Sequence, residues 1–156
     1  MAAIAKYNKF LLTQMNGGQD TTGGSTASAA RVIDFDTDTL KIMLVTAAYT
    51  PNAGTHAVKA SVTNVVVGAG YTAGGVALTG VTLVETSGTI VLDANDITWA
   101  QNASGFTNAR YAIIYKDTGS AATSTLFAYS DLGGDKSTVS GDFIFQFNPT
   151  GIAAWA

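Results

Sequence analysis

Cysteine is absent from this chain of 156 residues, and no long apolar run is present. Without thiols the protein has no disulfide framework, no thiolate zinc site and no cysteine nucleophile, so packing alone must hold the fold. No run approaches the roughly 18 apolar residues of a membrane-spanning helix. The first fifteen residues, interrupted by Lys6 and Lys9, lack the apolar stretch of a signal peptide. We therefore expect synthesis in the cytoplasm without a secretory signal, and no membrane partner.

Charge is also scarce, at 12% of the residues against about 25% in an average soluble domain. Gly, Ser, Thr and Asn take its place, and burying a hydroxyl costs far less than burying an unpaired carboxylate or ammonium. The few basic residues are scattered and the formal net charge is −3. Binding to a nucleic-acid backbone needs a basic stripe, so we expect no nucleic-acid partner. Such a surface suits lasting contact with protein neighbours.

Short β-branched and aromatic runs, separated by turn residues, fill the chain from Arg31 onward. This pattern leaves no room for crossover helices and predicts a mainly β fold over residues 31–156, a single antiparallel β-sandwich that is jelly-roll-like or related. The predicted strands are Arg31–Phe35, Leu40–Thr46, His56–Val67, Val76–Glu85, Thr89–Leu92, Asn108–Lys116, Thr125–Asp131 and Gly141–Phe147.

Two of these strands carry a further prediction. Tyr111–Tyr115 is apolar on both faces, which indicates a central strand or one buried in an assembly. Phe143, Phe145 and Phe147 alternate with other residues and share one face, so we expect them to form a wall of the core.

Residues 1–30 form a separate N-terminal segment in this interpretation. Ile4, Tyr7 and Leu11 fall at helical spacing and predict a short helix, although Phe10–Leu12 could equally begin a strand. Gly17–Ala30 holds four glycines and no large apolar residue, which is the composition of a flexible loop.

Asp34, Asp36 and Asp38 have the alternating carboxylates that open a calcium-binding loop. An EF-hand loop also needs glycine at its sixth position and glutamate at its twelfth, where this chain has Thr39 and Val45. We interpret the aspartates as a turn, and we predict no metal site.

The remaining chemically active side chains also favour structural roles. Asp93 and Asp96 could serve as an acid and a base, but no His, Lys or Arg lies near them in the sequence, which favours a turn. His56 is the one histidine, and it has neither a nucleophile motif nor a second ligand at metal-binding spacing. We therefore predict no catalytic residue, no cofactor and no enzymatic activity.

Glycine-rich and aromatic segments also favour structural roles. Gly68–Gly75 has the glycines of a nucleotide-binding loop but not its Gly-Lys-Ser/Thr ending, so we expect a loop between strands. Aromatic side chains near loops could stack on sugars; they are Tyr49, Tyr71, Trp99, Phe106 and Trp155. For Trp99, its strand-like spacing from Ile97 favours core packing instead.

Several runs of residues have an order that resembles the sequences of a known protein family. They are Asp36–Thr46, Tyr49–Pro51, Gly70–Gly75, Leu92–Trp99, Ala109–Gly119 and Gly141–Ile152. They are similar to small virion proteins of tailed bacteriophages and span most of residues 36–152. The resemblance implies a structural protein of the head or tail without a known active site. Gly17–Ala30 is an insertion relative to the usual pattern of that family.

From this resemblance we expect a capsid decoration, or cement, protein that binds the outer surface of the phage head and stabilises it. Its partners would be the major capsid protein or other virion proteins, and it would form a symmetric homo-oligomer, with a trimer favoured. Ile4, Tyr7 and Phe10 are the predicted contact residues. The alternatives are a structural protein of the neck, tail or fibre, a glycan-binding adhesion module, and a virion hydrolase using Asp93 or Asp96.

Overall fold

A computed structural model of the chain describes residues 4–15 and 32–155. Every strand pairing in it is antiparallel, which confirms the mainly β fold. The sandwich or jelly-roll arrangement of the sheets stays a prediction. The elements are β1 (Ile4–Lys6), α1 (Asn8–Met15), β2 (Leu40–Val45), β3 (Val76–Ala77), β4 (Thr82–Thr86), β5 (Thr89–Asp93), β6 (Ile97–Trp99), β7 (Ala109–Lys116), β8 (Leu126–Lys136), β9 (Phe143–Phe145) and β10 (Ala153–Trp155).

The largest sheet has five strands in the order β1-β8-β7-β2-β3. Its middle strand, β7, contains the Tyr111–Tyr115 run, and Ile113 and Ile114, which point to opposite faces, are both buried. The prediction of a central strand is confirmed. A strand that is apolar on both faces is stable only where both faces are covered.

Two smaller sheets complete the fold, with strand orders β10-β5-β4 and β6-β9. Phe145 and Phe147 are buried, and the Phe143 ring stacks on Trp99 with 5.5 Å between ring centroids. The three phenylalanines therefore line the core as the alternation predicts.

The hairpin that joins β4 to β5 turns through Ser87 and Gly88, which have φ angles of 52° and 84°. Positive φ at both central residues is the mark of a type I′ turn, whose twist matches that of the flanking strands. The predicted strand Val76–Glu85 is divided, because the chain leaves the edge of β2 after β3 and starts β4 only at Thr82. Gly80, with a φ of 60°, lies at this break.

Two other predicted strands are wrong. Within Arg31–Phe35, residues 32–35 form bends and a turn, while Arg31 lies outside the described residues. His56–Val67 is a loop that contains a 3₁₀ turn at Lys59–Ser61 and is tied to the large sheet only by isolated bridges. Asn64 has a φ of 55°, in the left-handed region, so the chain cannot stay extended through this residue.

The N-terminal helix is confirmed as α1, so Phe10–Leu12 does not begin a strand. Strand β1, which precedes it, pairs with the outer side of β8 over Ala128–Ser130. Through this pairing, residues 4–6 add a strand to the large sheet. The predicted flexible loop Gly17–Ala30 lies outside the described residues.

Candidate interaction surfaces

The aspartates near the start of the domain close a turn. Asp34 Oδ1 accepts a hydrogen bond from the Asp36 backbone N–H at 3.0 Å, and Asp38 Oδ2 accepts one from the Asp34 N–H at 2.7 Å. Lys116 Nζ, on β7, lies 2.8 Å from the same Asp38 oxygen. A hydrogen bond from the Thr37 side chain is the main cause that lowers the pKa of Asp34. The predicted turn is confirmed, and an ion pair anchors it to the sheet.

The second acidic segment is also used in hydrogen bonds to the backbone. Asp93 Oδ1 accepts from the N–H of Ala94 at 2.9 Å. Asp96 Oδ1 accepts from the N–H of Phe147 at 2.8 Å, so it ties the start of β6 to the chain after β9. The Asp93 contact is local, whereas the Asp96 contact joins residues 51 positions apart in the sequence. Residues 94–96 form a short irregular connection between β5 and β6 and not the predicted turn.

His56 belongs to a chain of aromatic hydrogen bonds. The Tyr49 hydroxyl lies 2.7 Å from His56 Nδ1 and 3.3 Å from the Tyr7 hydroxyl, and the Tyr49 and His56 rings stack at 5.3 Å. The Asn52 N–H also donates to Nδ1 at 3.3 Å. Burial lowers the pKa of His56 and raises the pKa of both tyrosines. With these partners, His56 fastens the loop after β2 to the N-terminal segment.

Hydroxyl groups of two tyrosines hold the Gly68–Gly75 segment against the large sheet. The Leu44 N–H, on β2, donates to the Tyr71 hydroxyl at 2.7 Å, and the Tyr115 hydroxyl donates to the Gly74 carbonyl at 2.7 Å. Burial is the main cause that raises the pKa of Tyr71 and of Tyr115 to about 12. The segment is thus a packed loop between strands, as its sequence predicts.

Most of the aromatic side chains considered for sugar stacking lie inside the protein. Tyr49, Trp99 and Phe106 are 3%, 4% and 1% exposed. Core packing of Trp99 is therefore confirmed. Tyr71 and Trp155 are partly exposed and pack against the core.

The predicted contact residues at the N-terminus pack against β8. Tyr7 and Phe10 are buried, with ring centroids 5.0 Å from Tyr129 and 4.8 Å from Phe127. Tyr7 lies just before α1 and Phe10 lies in its first turn. Ile4 is partly exposed. A contact role of these three residues with a partner stays a prediction.

The β4–β5 hairpin presents exposed apolar side chains that the sequence did not reveal. Leu83, Val84 and Ile90 are 48%, 54% and 40% exposed. Leu83 and Val84 are adjacent, so they lie on opposite faces of the hairpin. Adjacent apolar residues also mark the buried strand β7, and the sequence pattern alone does not distinguish a covered strand from an exposed one.

Two grooves cross the described surface. One, of about 380 Å³, runs between the end of β8 and β9 and is lined by Asp131, Leu132, Gly133, Lys136 and residues 143–146. Arg110 pairs with Asp131 at 2.9 Å. The other, of about 340 Å³, lies beside α1 and is flanked by Trp155, whose ring centroid is 5.1 Å from Lys6 Nζ.

Within residues 4–15 and 32–155, no cluster of three or more His, Asp or Glu side chains is arranged to hold a metal ion. The same part of the chain contains no helix with the length and hydropathy needed to cross a membrane. No protein-family model, curated protein or solved structure matches this chain.

Proposed function

We propose that this protein is a structural component of a tailed-phage virion, bound to the outer surface of the head as a decoration protein. The β4–β5 hairpin carries the proposal: Leu83 and Ile90 on one face and Val84 on the other are exposed apolar side chains on a domain with little charge. Exposed apolar patches of this kind mark sites of protein–protein contact. The sequence resemblance supports the virion as the place of that contact.

The proposed effect on the shell follows from linkage. A protein that binds only the assembled shell shifts the equilibrium toward assembly, and the shift grows with the free concentration of that protein. Contact with the major capsid protein would bury mostly small neutral groups and apolar side chains, which cost little to desolvate. The protein would act as a homo-oligomer, because several copies that bind together can bridge neighbouring capsid subunits.

Electron cryo-microscopy of the virion that carries the protein tests this assignment. We expect density for a β domain of this size on the outside of the head, at the junctions between capsid subunits. Density confined to the neck, the tail or a fibre would overturn the head assignment and favour the alternative structural roles. Absence of the protein from purified virions would overturn the virion proposal itself.

A further inference from the structure

Strand β4 leaves one edge of its sheet unpaired. In the type I′ turn, the Thr86 carbonyl bonds to the Thr89 N–H, so these two residues form a hydrogen-bonded pair. Because such pairs alternate along an antiparallel ladder, the N–H and C=O groups of Leu83 and Glu85 point away from β5. In the described part of the chain, no backbone bond outside the hairpin reaches these groups.

This edge lacks the features that usually protect an exposed strand, which are Lys, Pro, a β-bulge or a very short length. The pairing of β4 with β5 runs without a register shift over Thr82–Thr86, and this five-residue strand contains neither Lys nor Pro. Its one charge belongs to Glu85, whose carboxylate turns back to accept a hydrogen bond from the Gly88 N–H. By contrast, the outer strands of the large sheet, β1 and β3, have three and two residues.

We propose that a second copy of this chain pairs with the free edge of β4, antiparallel and around a twofold axis at Val84. The strand reads Thr-Leu-Val-Glu-Thr, so a twofold axis at Val84 sets Thr82 of one copy opposite Thr86 of the other. In the register centred on Val84, all five residues of each strand are paired and Leu83 lies opposite Glu85 of the second copy. The outward groups of these two residues then exchange four backbone hydrogen bonds, and the two Val84 side chains meet.

Other self-pairings are worse. Centring the pair on Glu85 sets two carboxylates directly opposite each other, which is destabilising. Centring it on Leu83 leaves part of each strand unpaired and needs Val81, which lies before β4. Charge and length therefore both select the Val84 register, in which the free edge of β4 is complementary to the same edge of a second copy.

The contact joins two three-stranded sheets into one with the order β10-β5-β4-β4-β5-β10. It covers part of the exposed apolar surface of Leu83 and Val84 on both faces. A twofold contact gives an even number of copies, so this inference replaces the trimer expected from the sequence resemblance with a dimer. It does not depend on the proposed virion role.

Sedimentation velocity over a range of concentrations tests the dimer. We expect the unaltered protein to dimerise and Val84→Lys to sediment as a monomer, because the variant places two ammonium groups against each other at the axis. Val67→Lys is the matched control: Val67 is 82% exposed and lies outside the hairpin, so this variant should still dimerise. A monomeric unaltered protein, or an oligomer that Val84→Lys leaves intact, would overturn the proposal.

Single-cysteine variants test the register independently of stability, because the chain has no cysteine of its own. Val84 would face its counterpart in a non-hydrogen-bonded pair with about 4.5 Å between Cα atoms, within reach of a disulfide. Under mild oxidation, Val84→Cys should therefore give a disulfide-linked dimer at least ten times faster than Leu83→Cys or Glu85→Cys, whose counterparts lie diagonally. Faster linkage through either of those two positions would refute the register.

Discussion

At the scale of single residues, the buried link between Tyr49 and His56 makes stability depend on pH. Burial lowers the pKa of His56 below its ordinary value of 6.5, so the unfolded chain binds a proton more readily than the folded one. The free energy of unfolding therefore contains a contribution that is present above about pH 6.5 and is lost as pH falls below it. Sequence reasoning gave His56 a hydrogen-bonded structural role but could not name Tyr49 as its partner.

We expect urea unfolding of the native protein to show a decrease in unfolding free energy between pH 7 and pH 5. The same series for His56→Gln should be flatter, because glutamine does not titrate. This window lies above the range of the aspartates whose pKa is lowered by their partners, Asp34, Asp117 and Asp131. Equal slopes for the two proteins would mean that His56 does not carry the dependence.

Two aspartates in ion pairs of different exposure offer a comparison of the effect of burial. Asp38 and Asp131 each accept one backbone N–H and pair with one cation, Lys116 or Arg110. The side chains of the first pair are 23% and 11% exposed, against 46% and 30% in the second. Removing the charge of Asp38 leaves the Lys116 ammonium without its anion in a poorly solvated place.

Asp38→Asn should therefore lower the free energy of unfolding by about 2 kcal/mol, since a buried pair broken on one side leaves an uncompensated charge. Asp131→Asn should cost less than Asp38→Asn, as exposed pairs contribute little. Chemical denaturation at neutral pH measures both. A larger loss for Asp131→Asn would contradict this ranking.

At the scale of elements, the sequence predicted strands best where residue pattern and burial agree. Strand β7 was predictable because Tyr111–Tyr115 is apolar on both faces. Strand β9 was predictable from the alternation of Phe143, Phe145 and Phe147. Strands β1 and β10 have three residues each, too few for a periodic signal, and depend on pairing with β8 and β5. The valines of residues 62–67 have strand propensity, but Asn64 breaks the extended chain there.

Two glycines show how one backbone conformation serves different elements. Gly75, at the end of the packed loop, has a φ of 79°, and Gly88, in the hairpin turn, has a φ of 84°. A Cβ on Gly75 would collide with the backbone of Ile42 and Met43 on β2, whereas one on Gly88 would meet no atom within 4 Å. A substitution at either position would therefore strain the backbone, but only a substitution at Gly75 would also create a steric clash.

We expect Gly88→Ala to lower the free energy of unfolding by about 1 kcal/mol, the cost of a left-handed backbone for alanine. Gly75→Ala should cost at least about 3 kcal/mol, because the loop must also move away from β2. Thermal unfolding of the two variants gives the comparison. Similar losses would show that the close approach of the loop to β2 adds nothing to the cost of Gly75→Ala.

At the scale of the whole molecule, the acidic and glycine-rich segments serve packing and turns, and the β4–β5 hairpin has exposed apolar side chains. The sequence indicated the first of these features because turn chemistry is local to Asp34–Asp38 and Gly68–Gly75. It did not indicate the second, because the position of a strand in a sheet depends on distant pairing. The contact roles of Tyr7 and Phe10 stay predictions. Exposure of β4 follows from its place at the end of the β10-β5-β4 sheet.

The proposed cementing role makes a prediction about shells that lack this protein. Such shells should rupture at a lower temperature than complete ones, and adding the purified protein should raise the rupture temperature until every site is filled. Stabilisation by a ligand that binds only the assembled state grows by about 2.7 kcal/mol per site at a concentration one hundred times its dissociation constant. Light scattering during heating follows rupture. Complete shells, whose sites are already occupied, are the control and should not respond, while unchanged rupture of deficient shells at saturating protein would contradict cementing.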